Sequence, residues 1–318
     1  MIKIAGLGIS GIYLYHRLRN SGFDVSGYDP QKDNYYNPCG YATNEFKMSE
    51  YMSKINIDFK DYILSRAESI TFSGNNFTGK TLTPNGLCTF DKNKLETDSR
   101  KGIKRQIIAQ KNGDIIIDAT GISRSYLGQN NADIQYKTLE YLTEESNFPD
   151  FYFYFLPRGR GYFWSFPLGN KFHIGIGSRT TEDFYMVRKY KKIKVASRNI
   201  RMAPLFNPVW KGNIIGVGEA IGTVSPLTGE GILPSIKSAE ILFDCISKYG
   251  TQNLGEIYEE KIGKEFGYYA KLASMVSNIQ KGNIVKIENI RSIKYAKKTI
   301  NEFGIQFNIL PFIRHFVK

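Results

Sequence analysis

Residues 2–29 read IKIAGLGISGIYLYHRLRNSGFDVSGYD, and this stretch decides the fold. A short apolar strand runs into Gly6-x-Gly8-x-x-Gly11. Ile12, Tyr15 and Leu18 then recur at helical spacing, and Ser21-Gly22 closes the helix. A second strand, FDVSGY, ends at Asp29, 18 residues after Gly11. Strand, glycine loop, helix, strand and acid in this order form a dinucleotide-binding βαβ unit. Gly6 allows the tight turn, Gly8 lets the backbone approach a pyrophosphate, and Gly11 lets helix and strand pack closely. The free N–H groups at the helix start hold the phosphates. Asp29 stands where an adenosine ribose would meet it, or else it only ends the strand before Pro30. The unit alone does not separate FAD from NAD.

Two later segments extend the same domain. Residues 114–121, DIIIDATG, carry three consecutive isoleucines, the mark of a fully buried parallel strand, and end in a small turn at Gly121. Residues 213–231, NIIGVGEAIGTVSPLTGEG, again lead from an apolar strand into a glycine-rich loop. The helix that follows has Ile232, Ile236, Ala239, Phe243 and Ile246 on one face, and Pro234 fits only its first turn. A simple NAD domain needs no second glycine loop. A helix N-terminus aimed at the pyrimidine edge of a flavin would use one, stabilising the negative charge of the reduced ring. Glu219 at the strand end could accept from ribityl hydroxyls, while Thr228 and Glu230 read either as site residues or as helix caps.

Residues 151–177, FYFYFLPRGRGYFWSFPLGNKFHIGIG, give three strands divided by PRGRG and LGN turns, an antiparallel sheet with large side chains. Tyr152, Tyr154, Tyr162, Trp164 and Phe166 keep period two within their runs, so one sheet face is expected to be an aromatic wall. Such a wall is core, or it lines a pocket for a long apolar substrate. Arg158 and Arg160 meet a phosphate or solvent, and His173 reads as a sheet residue rather than a catalyst. Helical patterns with basic faces follow around 254–280 and 286–301, and the tail FGIQFNILPFIRHFVK docks on the body or lies on a membrane.

The chain has 318 residues, enough for a substantial core and roughly two domains. It is 42% hydrophobic and 23% charged. A strand starting at residue 2 leads us to expect no signal peptide, and no apolar run is long enough for a transmembrane helix. The expected setting is cytoplasmic, with peripheral attachment to the cytoplasmic face of a membrane as the variant. The net charge of +13 fits a solvated basic surface or an anionic membrane partner. The one short basic cluster is RKYKKIK at 188–194, and no helix-turn-helix, zinc-finger or RNP pattern points to nucleic acid. The three cysteines, at 39, 88 and 245, match no zinc or CxxC spacing, so no metal is expected.

With PCG at 38–40, YFWSFP at 162–167 and GEAIGTVSPLTGEG at 218–231, the sequence resembles the archaeal geranylgeranyl reductase family. That family belongs with the flavoproteins built like p-hydroxybenzoate hydroxylase. The likeness covers residues 1–245, and Tyr162, Trp164, Phe166 and Pro167 match the family's YxWxFP pattern. Glu219 stands where the family has aspartate, and Lys92 where it has arginine. The resemblance implies an α/β, α+β-composite chain: a discontinuous Rossmann-like FAD-binding domain (1–50, 88–125, 205–248), an antiparallel-sheet substrate domain (51–87, 126–204) and a helical C-terminal region (249–318). It implies FAD, held by Gly6, Gly8, Gly11, Asp29, Gly40, Lys92, Gly121, Glu219, Gly222, Pro226, Thr228, Gly229 and Gly231. It further implies reduction of double bonds in geranylgeranyl chains of archaeal membrane lipid precursors. The substrate would be an isoprenoid diphosphate or a geranylgeranylated glycerophospholipid, lying against Tyr162, Trp164 and Phe166. Electrons would come from NAD(P)H or a ferredoxin. The rival readings are a flavin monooxygenase or halogenase on the same scaffold, and a non-enzymatic lipid-binding module.

Cys39, in NYYNPCGYA at 34–42, takes its meaning from this resemblance. Reduction of an unactivated alkene needs a hydride on one carbon, from reduced flavin, and a proton on the other. A thiol with an ordinary pKa near 8.5 is protonated at neutral pH and could give that proton. Pro38 and Gly40 would hold it at the ring. The alternative is a small thiol packed under the cofactor. Cys88 and Cys245 read as core residues, with a Cys39–Cys88 bond as a minor possibility.

Overall fold

The computed structural model describes residues 1–31, 39–75, 77–103, 114–204, 206–281 and 290–306. The chain opens with strand β1 (Ile2–Ala5), helix α1 (Ile9–Asn20) and strand β2 (Val25–Tyr28). Next come β3 (Ala42–Asn44), α2 (Glu45–Ser53), β4 (Ile63–Arg66), β5 (Ile70–Gly74), β6 (Phe77–Pro84) and β7 (Leu87–Phe90). Helix α3 (Lys92–Arg100) precedes β8 (Ile115–Asp118), β9 (Gln135–Thr143), β10 (Phe151–Phe155), β11 (Gly161–Leu168) and β12 (Lys171–Ser178). The rest is the short α4 (Tyr185–Arg188), β13 (Lys194–Arg201), β14 (Trp210–Lys211), β15 (Ile214–Gly216), α5 (Ile232–Tyr249), α6 (Leu254–Phe266), α7 (Tyr268–Gln280), α8 (Ile290–Glu302) and β16 (Ile305–Gln306).

Among the described residues three sheets form. The first has five strands in the order β14-β15-β8-β1-β2, and all but the edge hairpin partner β14 run parallel. Its central strands β1 and β8 are buried on both faces, as parallel strands covered by other layers are, and the one lysine among them, Lys3, is paired with Asp114 at 2.6 Å. Helices α1 and α5 pack together in one such layer. The largest sheet has eight strands, β13-β9-β12-β11-β10-β5-β6-β16. Strands β10, β11 and β12 pair antiparallel as the sequence predicts, but β10 also pairs parallel with β5. The strand Ile305–Gln306, near the chain's end, closes this sheet by pairing with β6. A small sheet, β3-β7-β4, packs against β11 of the largest sheet, where Thr89 Oγ1 donates to the Pro167 carbonyl at 2.6 Å. The architecture is thus an α/β fold with a Rossmann-like region, an antiparallel-sheet domain and C-terminal helices.

The helical pattern expected over 254–280 is two helices, broken at Gly267, and the pattern at 286–301 is α8 at 290–302. Of the expected tail, Phe303 and Ile305 are buried against the body, while residues 307–318 lie outside the described residues. Among the described residues no helix is long and apolar enough to cross a membrane. All three cysteines are free, and Cys88 and Cys245 are buried in the main core.

Glu240 ties this layer together. Its carboxylate accepts from Tyr13 Oη (2.8 Å), Arg17 Nε (2.8 Å) and Lys54 Nζ (2.8 Å), joining α5 to α1 and to the end of α2. Burial works against its ionisation, but Arg17, Lys54 and Tyr13 hold its pKa below the usual value. A depressed folded pKa stabilises above the unfolded pKa, and that contribution is lost as pH falls through the folded one. Glu240→Gln is therefore expected to cost about 1.5–3 kcal/mol at pH 7, the worth of hydrogen bonds to a charged group. Urea unfolding of parent and variant at neutral and at strongly acid pH checks this: the gap between them closes on the acid side.

Candidate functional site

The β1–α1 loop is built as the glycine spacing requires. Gly6 has φ +91°, and a Cβ there would lie 2.4 Å from the Ala119 carbonyl oxygen. A Cβ on Gly11 would lie 2.0 Å from the Gly6 carbonyl oxygen. At Gly8 a Cβ would meet nothing within 4 Å, so open space reaches the backbone at the start of α1. Gly8 is the N-cap of α1 and supplies no side-chain cap. Asp29 braces the loop from β2: its Oδ2 accepts from the Leu7 amide (2.8 Å) and its Oδ1 from the Gln31 amide (2.8 Å). From β8, Asp118 closes the next turn by accepting from the Tyr126 and Leu127 amides, both at 2.9 Å.

The second glycine loop lies at the start of α5. Gly222 (φ +74°) and Gly229 (φ +68°) turn the chain, and Gly231 is the N-cap of α5. Glu230 caps the helix, its Oε1 accepting from the Leu233 amide at 2.8 Å. Glu219 is held from β13, by Arg198 Nη2 (2.6 Å) and the Arg201 amide (2.9 Å). Arg201 is itself fully buried.

Between the two loops and the large sheet lies a cavity of about 700 Å³. It brings together Gly6, Gly8, Asp29 and Gly121 with Glu219, Thr228, Gly229 and Gly231, and Gly121 lies beside Glu219, where a Cβ would be 3.6 Å from Oε2. Cys39, Gly40, Lys92, Tyr162, Trp164 and Phe166 also line it. Gly11, Gly222 and Pro226 do not, and sit behind the lining. The sequence reading missed Glu96, Glu140 and Arg198, which line it too. Glu140 was legible in part: it interrupts an apolar strand, in phase with Tyr136 and Thr138 on the same face.

The aromatic wall needs one correction. Tyr162, Trp164 and Phe166 share the cavity face of β11, but Tyr152 and Tyr154 of β10 point the other way and pack with Phe148 and Phe163. Residues directly opposite in an antiparallel pair share a face. Phe153 is opposite Trp164, and Tyr152 is opposite Ser165, so Phe151 and Phe153 join the wall instead. Gly175 of β12 faces Trp164, and a Cβ there would lie 2.2 Å from the indole ring. The Trp164 Nε1–H is buried with no hydrogen-bond partner among the described residues, and Gly40 packs over it, where a Cβ would lie 3.2 Å from Nε1. Arg160 is paired with Asp183 at 2.9 Å, and Arg158 is exposed.

Cys39 stands in the cavity wall, in the turn entering β3. Its amide points to Glu140 Oε1 at 3.4 Å, and a Cβ on the following Gly40 would press on Phe166 at 3.0 Å. Burial pushes the thiol pKa up, with Lys92 pulling the other way, so the thiol carries its proton at neutral pH. Pro38 lies outside the described residues. Beneath the turn, Glu140 Oε2 and His173 Nδ1 are 3.7 Å apart and both side chains are buried. Burial drives the His173 pKa down to about 3, so the ring is neutral. His173 is a sheet residue on β12, as expected.

No family model matches the chain. It is 26% identical to an uncharacterised protein of Methanocaldococcus jannaschii, over 90% of this chain and 94% of that one. Among solved structures it is similar to a geranylgeranyl bacteriochlorophyll reductase-like protein from Thermoplasma acidophilum, with TM-score 0.67 and 16% identity over 95% of this chain and 98% of that chain. It is also similar to a probable FAD-dependent monooxygenase from Pseudomonas aeruginosa, with TM-score 0.67 and 12% identity over 88% and 96% of the two chains. A flavin-dependent brominase matches with TM-score 0.68 and 10% identity over 99% and 97%. The fold is that of the flavin-dependent oxidoreductases and monooxygenases.

Proposed function

We propose that this chain is an FAD-dependent oxidoreductase acting on a small apolar organic substrate, and that the reaction is reduction of a carbon–carbon double bond in an isoprenoid chain. One observation carries the reading: a single cavity joins the dinucleotide loop at Gly6 and Gly8 to the aromatic face of β11, with Cys39 in its wall. The open backbone at Gly8 and the start of α1 would take the pyrophosphate, and the α5 loop would face the far end of the cofactor. When bound and reduced, FAD would supply the hydride. The protein's own part is to exclude water with Tyr162, Trp164 and Phe166, to orient the substrate along them, and to hold a proton at Cys39 Sγ. Electrons would come from NAD(P)H or a ferredoxin.

Oxygen-dependent monooxygenation or halogenation is the second reading, and it is favoured by the solved structures, which include the monooxygenase and the brominase. Acid release and chromatography should recover FAD at about one per chain; FMN, or no flavin after reconstitution, would sink both readings. Mass spectrometry of geranylgeranyl diphosphate incubated with dithionite-reduced protein under anaerobic conditions then divides them. A product heavier by hydrogen supports reduction. Turnover that appears only with oxygen, and adds oxygen or halogen, supports the second reading.

A further inference from the structure

Glu230 caps α5 and has no part in the chemistry above. It lies between Gly229 and Gly231 in the cavity wall and is 8% exposed. One carboxyl oxygen is committed to the helix, accepting from the Leu233 amide. Around it stand Tyr162 of β11, Thr43 of β3, Tyr269 of α7 and Glu302 of α8. None of these is a cation. A buried carboxyl without a countercharge keeps its proton. Here burial raises its pKa to about 8, Glu302 adding to the rise, while the amides of Leu233 and Ile232 and the Thr43 side chain pull it down. Tyr162 is within electrostatic reach of both Cys39 and Glu230, lines the same cavity, and hydrogen-bonds to the Thr228 carbonyl at 2.6 Å, which sets the two acids around one aromatic side chain.

We propose that Glu230 is the proton reserve of the cavity: it reloads Cys39 after the thiol has given its proton to the substrate. This rests on the reductase reading. In the first step the Cys39 S–H bond breaks and a substrate C–H bond forms, the electron pair of the reduction having arrived as hydride from reduced flavin. In the second, the Glu230 O–H bond breaks and the S–H bond re-forms. The carboxylate then takes a proton from water. The transfer runs downhill, because the thiol is the weaker acid of the two.

Glu230→Gln keeps an oxygen for the Leu233 amide and removes only the proton. Infrared titration of flavin-free protein should show a protonated-carboxyl band that bleaches with a midpoint near pH 8 and is missing in the variant. With FAD and geranylgeranyl diphosphate, the variant's first turnover should stay within about threefold of the parent, while steady-state turnover at neutral pH falls by about 10²-fold, the lower end for a positioned acid. Absence of the band between about pH 6 and 9, or steady-state turnover within about threefold of the parent, would overturn the proposal. A parent that binds FAD yet turns over no alkene would remove the reductase reading, and the reloading role with it, while the infrared band still reports whether Glu230 holds a proton.

Discussion

Cys39→Ala should bind FAD normally and form product in a single anaerobic turnover about 10²–10⁴-fold more slowly than the parent, or roughly 3–5 kcal/mol. The substitution removes the one thiol in the cavity wall and little volume. Cys39→Ser keeps a small polar group, but a hydroxyl is a far weaker acid and should be nearly as slow. A thiol that only packs would give the opposite pattern: lower stability and weaker flavin retention with near-normal turnover. The deciding measurement is the rate of product formation in a single turnover at saturating substrate. An alanine variant within about threefold of the parent rate would leave Cys39 a packing residue. Raising pH through neutrality should not mimic the variant, because burial keeps the thiol protonated there.

Arg201→Ala should destabilise the protein by about 3–5 kcal/mol, the cost of breaking a buried ion pair by removing one partner. Its Nε and Nη2 meet Asp133 at 2.7 and 2.8 Å. Its Nη1 donates to the Glu219 carbonyl (2.6 Å) and its Nη2 to the Ile122 carbonyl (3.0 Å). One side chain thus ties the end of β13 to the loops after β8 and β15. Without it Asp133 loses the partner that, against burial, holds its pKa low. Arg201→Lys should recover little, because an ammonium cannot match the planar fork. Guanidinium unfolding of the three proteins measures the loss, and an alanine variant within about 1 kcal/mol of the parent would contradict the assignment.

Much of the first sheet is legible in the sequence because its signals are local. The glycine spacing forces the turn, three isoleucines demand burial, and Pro234 admits α5 at only one offset. What escaped depends on pairing between distant segments. Nothing in FYFYF says which of its alternating faces meets the cavity, since both are aromatic; that choice is made by register with β11. Parallel pairing of β10 with β5 is invisible for the same reason. Arg201 looks like a solvent-facing residue at a strand end, and its burial follows only from Asp133, 68 residues earlier in the chain. Glu230 was read as a site residue or a cap. It is a cap, and it also lines the cavity, because the loop that caps α5 is itself part of the wall.

The absence of a side chain at Gly175 shapes the wall as much as the rings do. The Trp164 indole lies flat across β12 because no methyl stands there. The width of the cavity is therefore written in two places, Trp164, which lines it, and Gly175, which does not. A single added carbon at position 175 would tilt the indole and narrow the bore while every ligand-facing residue stayed the same. Homologues differing only at this position could thus diverge in the girth of molecule they admit, and a comparison confined to the lining would record them as identical.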